Sequence, residues 1–250
     1  MPKFRALAAA VLVLSVLLCL FAGCGDNKNP TPVPEGYSYD SGDKTTDPVS
    51  TADPSVQVPA NEPFTVDASW QNNFFAEYLY YNKELGGDTV RIREIKTETA
   101  FEAEYPANGS FFYYVEDGGD LISYTGVPDE DTFTRAVMEG KSAADISSTF
   151  MKLSAVDASL PSLSNVLYME NETVAGRTCK KYIQRAYQDG AVTATVYIWI
   201  DAEFGFAAKC ESYDKNNELE TSWELVQFEA GSVTDSRFDV DPGDYDFTEA

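Results

Sequence analysis

The residue with the clearest chemistry in this sequence is Cys24, which ends the stretch Leu20-Phe21-Ala22-Gly23-Cys24. An apolar residue and two small residues before a cysteine match the bacterial lipobox, where the signal peptidase must fit the backbone beside a diacylated thioether. Two acyl chains are enough for stable membrane anchoring. The sequence therefore predicts attachment to a membrane through diacylglycerol on Cys24.

The residues before the lipobox agree with export. Lys3 and Arg5 precede an apolar run of 16 residues, Ala6 to Phe21. This is the layout of a secretory signal peptide, and the run is shorter than the about 20 residues that a spanning helix needs. We therefore expect a signal peptide over residues 1–23 and an extracytoplasmic, lipid-anchored protein.

Several catalytic chemistries are excluded because the 250 residues contain no histidine. Ser-His-Asp and Cys-His catalysis, histidine-ligated zinc or copper and histidine pH switches all need that side chain. Paired carboxylates for glycoside cleavage stay open among 41 acidic residues, although no pair stands out. The sequence indicates no catalytic site and no cofactor, and a hydrolase is only a third hypothesis.

The charge of the chain excludes two kinds of partner. Loss of Lys3 and Arg5 with the signal peptide leaves 16 basic against 41 acidic residues, a net charge of −25. Such a chain is repelled by nucleic acid and by anionic lipid head groups. Of the 33 aromatic residues, 31 remain after cleavage, and this number requires a folded core.

Composition divides the mature chain into three parts. Residues 24–60 are rich in Pro, Thr, Ser and Asp and predict a flexible linker. Residues 61–241 predict one domain, followed by an acidic tail over 242–250. Four aspartates, at positions 239, 241, 244 and 246, offer oxygen ligands for calcium, but their spacing lacks the glycine and final glutamate of an EF-hand. A solvated tail without metal is the favoured interpretation.

Alternating apolar and polar residues predict a strand-rich domain. Two helices, Asp129–Glu139 and Ser142–Leu153, are predicted from apolar residues at helical spacing, with a Ser142–Asp145 capping box. The predicted strands are Asn73–Asn82, Thr89–Ile95, Thr99–Tyr105, Ser110–Val115, Leu121–Tyr124, Cys179–Gln188, Ala191–Ile200, Phe206–Tyr213 and Glu220–Glu229.

The clearest hairpin turns at Asp189-Gly190, the pair that a type I′ turn favours. If Gln188 pairs with Ala191, Ile183 lies opposite Val196 and Cys179 lies opposite Ile200. Cys210 is then two strands away from Cys179, about 9–10 Å. A disulfide tolerates Cα atoms up to about 7 Å apart, so we expect two free thiols.

The last 75 or so residues resemble the LolA/LolB-like lipoprotein-carrier superfamily. The resemblance rests on Glu172-Thr-Val-Ala-Gly-Arg-Thr-Cys-Lys-Lys-Tyr182, Val196-Tyr-Ile-Trp-Ile-Asp201, Gly205-Phe-Ala-Ala-Lys209 and Arg237-Phe-Asp-Val-Asp-Pro-Gly-Asp-Tyr245. It implies a mainly β (α+β) fold, an antiparallel half-open β-barrel with a small helical lid. Characterised members shuttle or sense acylated molecules, but none of their cavity residues can be matched to positions here.

Five aromatic residues are candidates for lining an apolar ligand site: Tyr197, Trp199, Phe111, Tyr113 and Trp223. An ordinary core explains them equally well, because aromatic residues are common in strands. Two functions therefore remain. The first is a lipoprotein that binds a lipid or other apolar ligand on its sheet. The alternative is a non-catalytic interaction or sensor module that docks another envelope protein.

Overall fold

The computed structural model describes residues 63–127, 132–238 and 240–250. The predicted signal peptide, Cys24 and the linker lie outside these residues. Within the described ranges the chain forms twelve strands and one short α-helix, α1 (Thr149–Ser154), which confirms the mainly β class. The strands are β1 (Phe74–Asn82), β2 (Thr89–Lys96), β3 (Ala100–Tyr105), β4 (Ser110–Asp117), β5 (Asp120–Val127), β6 (Thr132–Met138), β7 (Val166–Val174), β8 (Arg177–Gln188), β9 (Ala191–Asp201), β10 (Ala207–Asp214), β11 (Leu219–Ala230) and β12 (Thr248–Glu249).

All twelve strands belong to one sheet that does not close on itself. Its order is β12-β6-β5-β4-β3-β2-β1-β11-β10-β9-β8-β7. Two antiparallel meanders, β1–β6 and β7–β11, are joined where β1 pairs with β11, and β12 runs parallel to β6. Residues of β7 come within 8 Å of β11 although three strands lie between them, so this half of the sheet is strongly curled.

The helix α1 packs on one face of the sheet, which is called the inner face below. Side chains alternate between faces along a strand, and Phe74, Tyr78, Ile198 and Trp223 belong to the inner face by register. They are buried in the largest apolar cluster of the described residues, together with Phe150 of α1. The opposite side is called the outer face.

The β8–β9 hairpin has the predicted turn but a different register. Asp189 and Gly190 both have positive φ, +53° and +79°, as a type I′ turn requires. A bulge between Ala186 and Tyr187 then shifts the pairing, so Ile183 lies opposite Tyr197 and Cys179 opposite Asp201. The predicted partners, Val196 and Ile200, were wrong by one residue because a bulge cannot be read from the turn alone.

Both cysteines of the described residues are free, as predicted. Cys179 lies on β8 and Cys210 on β10, with β9 between them.

The prediction of a helix over Asp129–Glu139 was wrong, because β6 occupies Thr132–Met138. Phe133 and Val137 are four residues apart, a spacing that places two side chains on one face of a strand as well as of a helix. They lie opposite Gly126 and Ile122 of β5. The first residues of the predicted helix fall outside the described ranges.

The second predicted helix, Ser142–Leu153, is divided into two pieces. A 3-10 turn spans Ala143–Asp145, and α1 begins only at Thr149. The Ser142–Asp145 capping box is confirmed, with the Ser142 N–H donating to the Asp145 carboxylate at 2.9 Å. The backbone is extended at Ile146, so the 3-10 turn ends there and does not continue into α1.

Candidate functional site

The inner face carries an aromatic cluster centred on Phe150, the second residue of α1. Ser148 caps this helix by accepting a hydrogen bond from the Met151 N–H at 3.1 Å. Phe150 is fully buried, and its ring lies 5.6–6.2 Å from six other aromatic rings, those of Trp70, Phe74, Tyr78, Phe206, Trp223 and Phe228. One side chain of a six-residue helix therefore fills the centre of the inner face.

A buried carboxylate on β2 holds this helix against the sheet. Glu94 is 1% exposed and accepts hydrogen bonds from the Tyr78 hydroxyl at 2.7 Å, from the Phe150 N–H at 3.1 Å and from the Ser148 hydroxyl. Burial raises the pKa of Glu94 above its ordinary value, while the three hydrogen bonds act in the opposite direction. Glu94 thus connects the sheet to the helix start through one side chain.

Sequence reasoning missed Glu94, although the sequence carries a signal for it. Along β2, Val90 and Ile92 precede Glu94 at alternate positions, so the carboxylate follows two apolar residues on the core-facing side of the strand. A charged residue is almost never fully buried without partners. Its partners, Ser148 and Phe150, are more than fifty residues away and could not be assigned from sequence.

Of the five candidate lining residues, Trp223 is the one whose ring lies against Phe150, with 6.2 Å between the ring centroids. Trp199 lies on the outer face, where its indole N–H donates to Glu172 at 2.7 Å. The ammonium groups of Lys181 and Lys209 each lie 4.9 Å from its ring, a cation–π arrangement. Tyr197 is its neighbour, with ring centroids 6.3 Å apart.

Phe111 and Tyr113 lie elsewhere, on the outer face of β4. Phe111 contacts Tyr245 at 5.2 Å between ring centroids, and Tyr113 contacts Phe238 at 5.4 Å. The structure therefore distributes the five candidates over three places and does not gather them around one cavity. The 242–250 segment is acidic and largely exposed, and Tyr245 attaches it to the sheet.

A surface pocket of about 290 Å³ lies at the β7–β8 turn and is lined by Gly176, Arg177, Thr178, Asp201, Ala202 and Glu203. The Arg177 guanidinium donates to buried Asp201 at 2.6 and 3.2 Å and to Glu203 at 2.7 Å. Asp201 also accepts from the N–H groups of Glu203 and Phe204. These contacts fix the turn into β10, which accounts for the aspartate that ends the Val196-Tyr-Ile-Trp-Ile-Asp201 stretch.

Other chemistry is limited within the described residues. No group of three or more His, Cys, Asp or Glu is arranged there to hold a metal ion. Asp241 accepts from the Gly243 N–H at 2.8 Å and so caps a 3-10 turn, while Asp239 lies outside the described ranges. Burial raises the pKa of both Cys179 and Cys210 to about 12, so neither is a reactive thiolate at neutral pH.

No helix in the described part of the chain is long and apolar enough to cross a membrane.

No family model and no curated protein match the sequence. Similar solved structures include an uncharacterized conserved protein from Thermus thermophilus, with 10% identity and a TM-score of 0.41 over 74% of this chain and 94% of that one. MucB in the MucA/MucB complex of Pseudomonas aeruginosa has 14% identity and a TM-score of 0.40, over 67% and 54% of the two chains. A putative outer membrane lipoprotein-sorting protein domain from Vibrio parahaemolyticus has 12% identity and a TM-score of 0.28, over 69% and 91%. These values are too low to transfer a function.

Proposed function

We propose that this chain is an extracytoplasmic lipoprotein, anchored through Cys24, that binds an apolar or acylated ligand on the inner face of its sheet. The observation that carries this proposal is the position of Phe150. Six aromatic rings surround one side chain that belongs to a helix of only six residues. The resemblance to the LolA/LolB-like superfamily implies a small helical lid, and α1 is a helix that packs on the inner face.

The chain around α1 is not paired into the sheet, so α1 can withdraw without breaking strand pairing. Between β6 and β7, the 27 residues 139–165 contain α1 and two 3-10 turns but no strand. Two hydrogen bonds tie the start of this connection to the β4–β5 hairpin, Gly140 N–H to Asp120 at 2.8 Å and Ala143 N–H to Glu116 at 2.7 Å. Withdrawal of α1 would leave these ties in place and expose aromatic surface that an acyl chain can cover.

The three tryptophans allow a direct test with a fatty acid brominated on its chain, since bromine quenches nearby indole fluorescence. Trp70 and Trp223 lie in the Phe150 cluster, whereas Trp199 lies on the outer face. We expect saturable quenching in the wild type and in W199F, and loss of the saturable part in the W70F/W223F double variant. Absence of saturable quenching in the wild type, or its persistence in the double variant, would contradict the proposal.

The membrane anchor is tested separately by Cys24→Ala. Two acyl chains account for retention in the membrane fraction, so the variant should appear in the soluble fraction after cell lysis. Continued tight membrane association of the variant would contradict anchoring at this residue. A Cys19→Ala variant is the matched control and should stay with the membrane.

A second candidate function is an interaction module that docks another envelope protein. The observation that favours it is a second aromatic cluster, on the outer face of β4–β6, formed by Phe111, Tyr113, Tyr124 and Phe133. This outer cluster shares no residue with the Phe150 cluster. Saturable quenching by the brominated fatty acid supports the first function. The second function is tested separately, by the binding of a peptide to the outer cluster.

A further inference from the structure

The outer face of β4–β6 carries four aromatic side chains that form one continuous surface, called the aromatic slot below. Its members are Phe111, Tyr113, Tyr124 and Phe133. Tyr113 and Tyr124 face each other in register and are stacked at 6.1 Å. Phe111 and Phe133 lie on either side of Gly126, the residue that pairs with both of them.

Gly126 gives the slot its shape. A Cβ atom at this position would lie 2.1 Å from the Phe111 ring, so only glycine lets that ring lie across β5. Phe111 is 2% exposed in this position. The Phe111 ring therefore lies across β5 beside Phe133 and does not project away from the sheet.

The slot is occupied by the 245–249 segment of the same chain. The Tyr245 ring lies 5.2 Å from Phe111 and 5.3 Å from Phe133, and the Phe247 ring lies 4.9 Å from Tyr124. Tyr245 and Phe247 are half-buried while Asp244, Asp246 and Thr248 are exposed, the alternation of an extended peptide with one face on a surface.

The segment also extends the sheet. Thr248 and Glu249 pair in parallel with Thr134 and Arg135 of β6, and the Thr248 hydroxyl donates to the Phe133 carbonyl at 3.0 Å. The Arg135 guanidinium donates to both oxygens of the Glu249 carboxylate at 3.1 and 3.2 Å. The sequence read by the slot is thus aromatic-x-aromatic-x-Glu.

These contacts hold the segment weakly. Its strand has two residues, and the Glu249 side chain is 69% exposed, so its ion pair contributes little to stability. Two half-buried rings supply most of the attachment. An arrangement of this kind allows exchange with a similar segment from another chain.

We propose that the aromatic slot is a docking site for an extended segment of a partner protein with the pattern aromatic-x-aromatic-x-acidic, and that the chain's own 245–249 segment occupies it intramolecularly. The partner adds to β6 as a strand, a common mode of peptide recognition. Its two rings cover Phe111, Phe133 and Tyr124, and its carboxylate pairs with Arg135. This proposal deepens the second candidate function and does not depend on ligand binding at the inner face.

The test uses the full mature chain and a fluorescein-labelled peptide with the sequence of residues 242–250. In the wild type the attached segment competes at an effective concentration on the order of 1 mM. The Y245A/F247A double variant removes the competitor and leaves the slot intact. If the open slot binds the peptide with a Kd of about 0.1 mM, the variant should bind about tenfold more tightly than the wild type.

The matched control is D244N/D246N, which changes two exposed residues of the same segment and should bind like the wild type. The F247A single variant should bind the peptide with an affinity between those of the wild type and the double variant. It replaces the double variant in the test if the double variant is unstable. Adding Phe133→Ala to the double variant should abolish binding. Equal binding of the peptide by the wild type and by Y245A/F247A would overturn the proposal. So would equal binding, by Y245A/F247A, of the original peptide and of a peptide in which the two aromatic residues are moved to other positions. Neither result bears on quenching by the brominated fatty acid.

Discussion

Replacement of Phe150 by alanine tests whether this side chain is the centre of the inner face. The ring is fully buried among six aromatic rings. Transfer of its apolar surface out of water is worth about 2–3 kcal/mol. A residual cavity of about 100 Å³ adds about 2.4 kcal/mol at about 24 cal/mol per Å³ if the neighbours do not relax. Since α1 is short and relaxes in part, we expect a loss of about 4 kcal/mol, inside the usual range of about 3–5 kcal/mol for Phe→Ala.

Equilibrium urea unfolding of the wild type and of F150A measures this loss from the transition midpoint and slope. Leu163→Ala is the matched control, because Leu163 is 40% exposed and close to α1 in sequence, and it should change stability by less than about 0.5 kcal/mol. A loss below about 1 kcal/mol in F150A, with an unchanged slope, would refute the packing that the structure describes.

The same variant should also gain a binding site. The dry apolar cavity left by Phe150→Ala can hold a xenon atom, and a ligand that binds only the folded state raises the thermal midpoint with its concentration. We expect xenon to raise the midpoint of F150A and to leave that of the wild type unchanged. An equal response in both proteins would mean that Phe150 does not fill the space.

Three further predictions follow from single contacts. Because the pKa of Glu94 is raised in the folded state, its protonated form is favoured by folding. The stability that Glu94 contributes is therefore fully present when the pH is below its ordinary pKa of 4.5, and it is lost as the pH rises through the pKa of the folded state. Urea unfolding from pH 4 to pH 8 should show the wild type losing stability relative to E94Q, and a flat difference would contradict this sign. Gly126→Ala should cost about 1–3 kcal/mol by displacing Phe111, whereas an unchanged unfolding midpoint would argue against the close approach. Cys179 and Cys210 should give two thiols per chain in denatured, non-reduced protein without residues 1–24, and react much more slowly in the native state.

Strand positions were predictable because they depend on local alternation. The predicted strand Asn73–Asn82 corresponds to β1 at Phe74–Asn82, although its aromatic residues also keep helical spacing. The β9–β10–β11 meander was likewise confirmed. Local pattern could not distinguish β6 from a helix, since a spacing of four residues fits both. It also gave no sign of the pairing between β1 and β11, which are about 150 residues apart.

The candidate site was harder to predict because it depends on which strand face is inner. Trp199 and Ile200 are adjacent in sequence and lie on opposite faces of β9. A bulge at Ala186 and Tyr187 then determines which side chains of β8 share those faces. One residue of register moves every side chain to the other face, so composition could identify aromatic strands but could not group their rings.

Glu94 places a condition on any ligand that replaces Phe150. If α1 withdraws as proposed, the carboxylate loses the Ser148 hydroxyl and the Phe150 N–H and keeps the Tyr78 hydroxyl. A buried acceptor without its donors costs about 1–3 kcal/mol, and more when it is charged. A plain alkane would cover the aromatic rings but leave this cost unmet. We therefore expect acyl compounds with a hydroxyl or amide donor next to the acyl chain to bind more tightly than hydrocarbons of equal length. The E94L variant should lose that preference and still bind the acyl chain. Equal affinity of the two ligand classes in the wild type would show that Glu94 does not face the ligand.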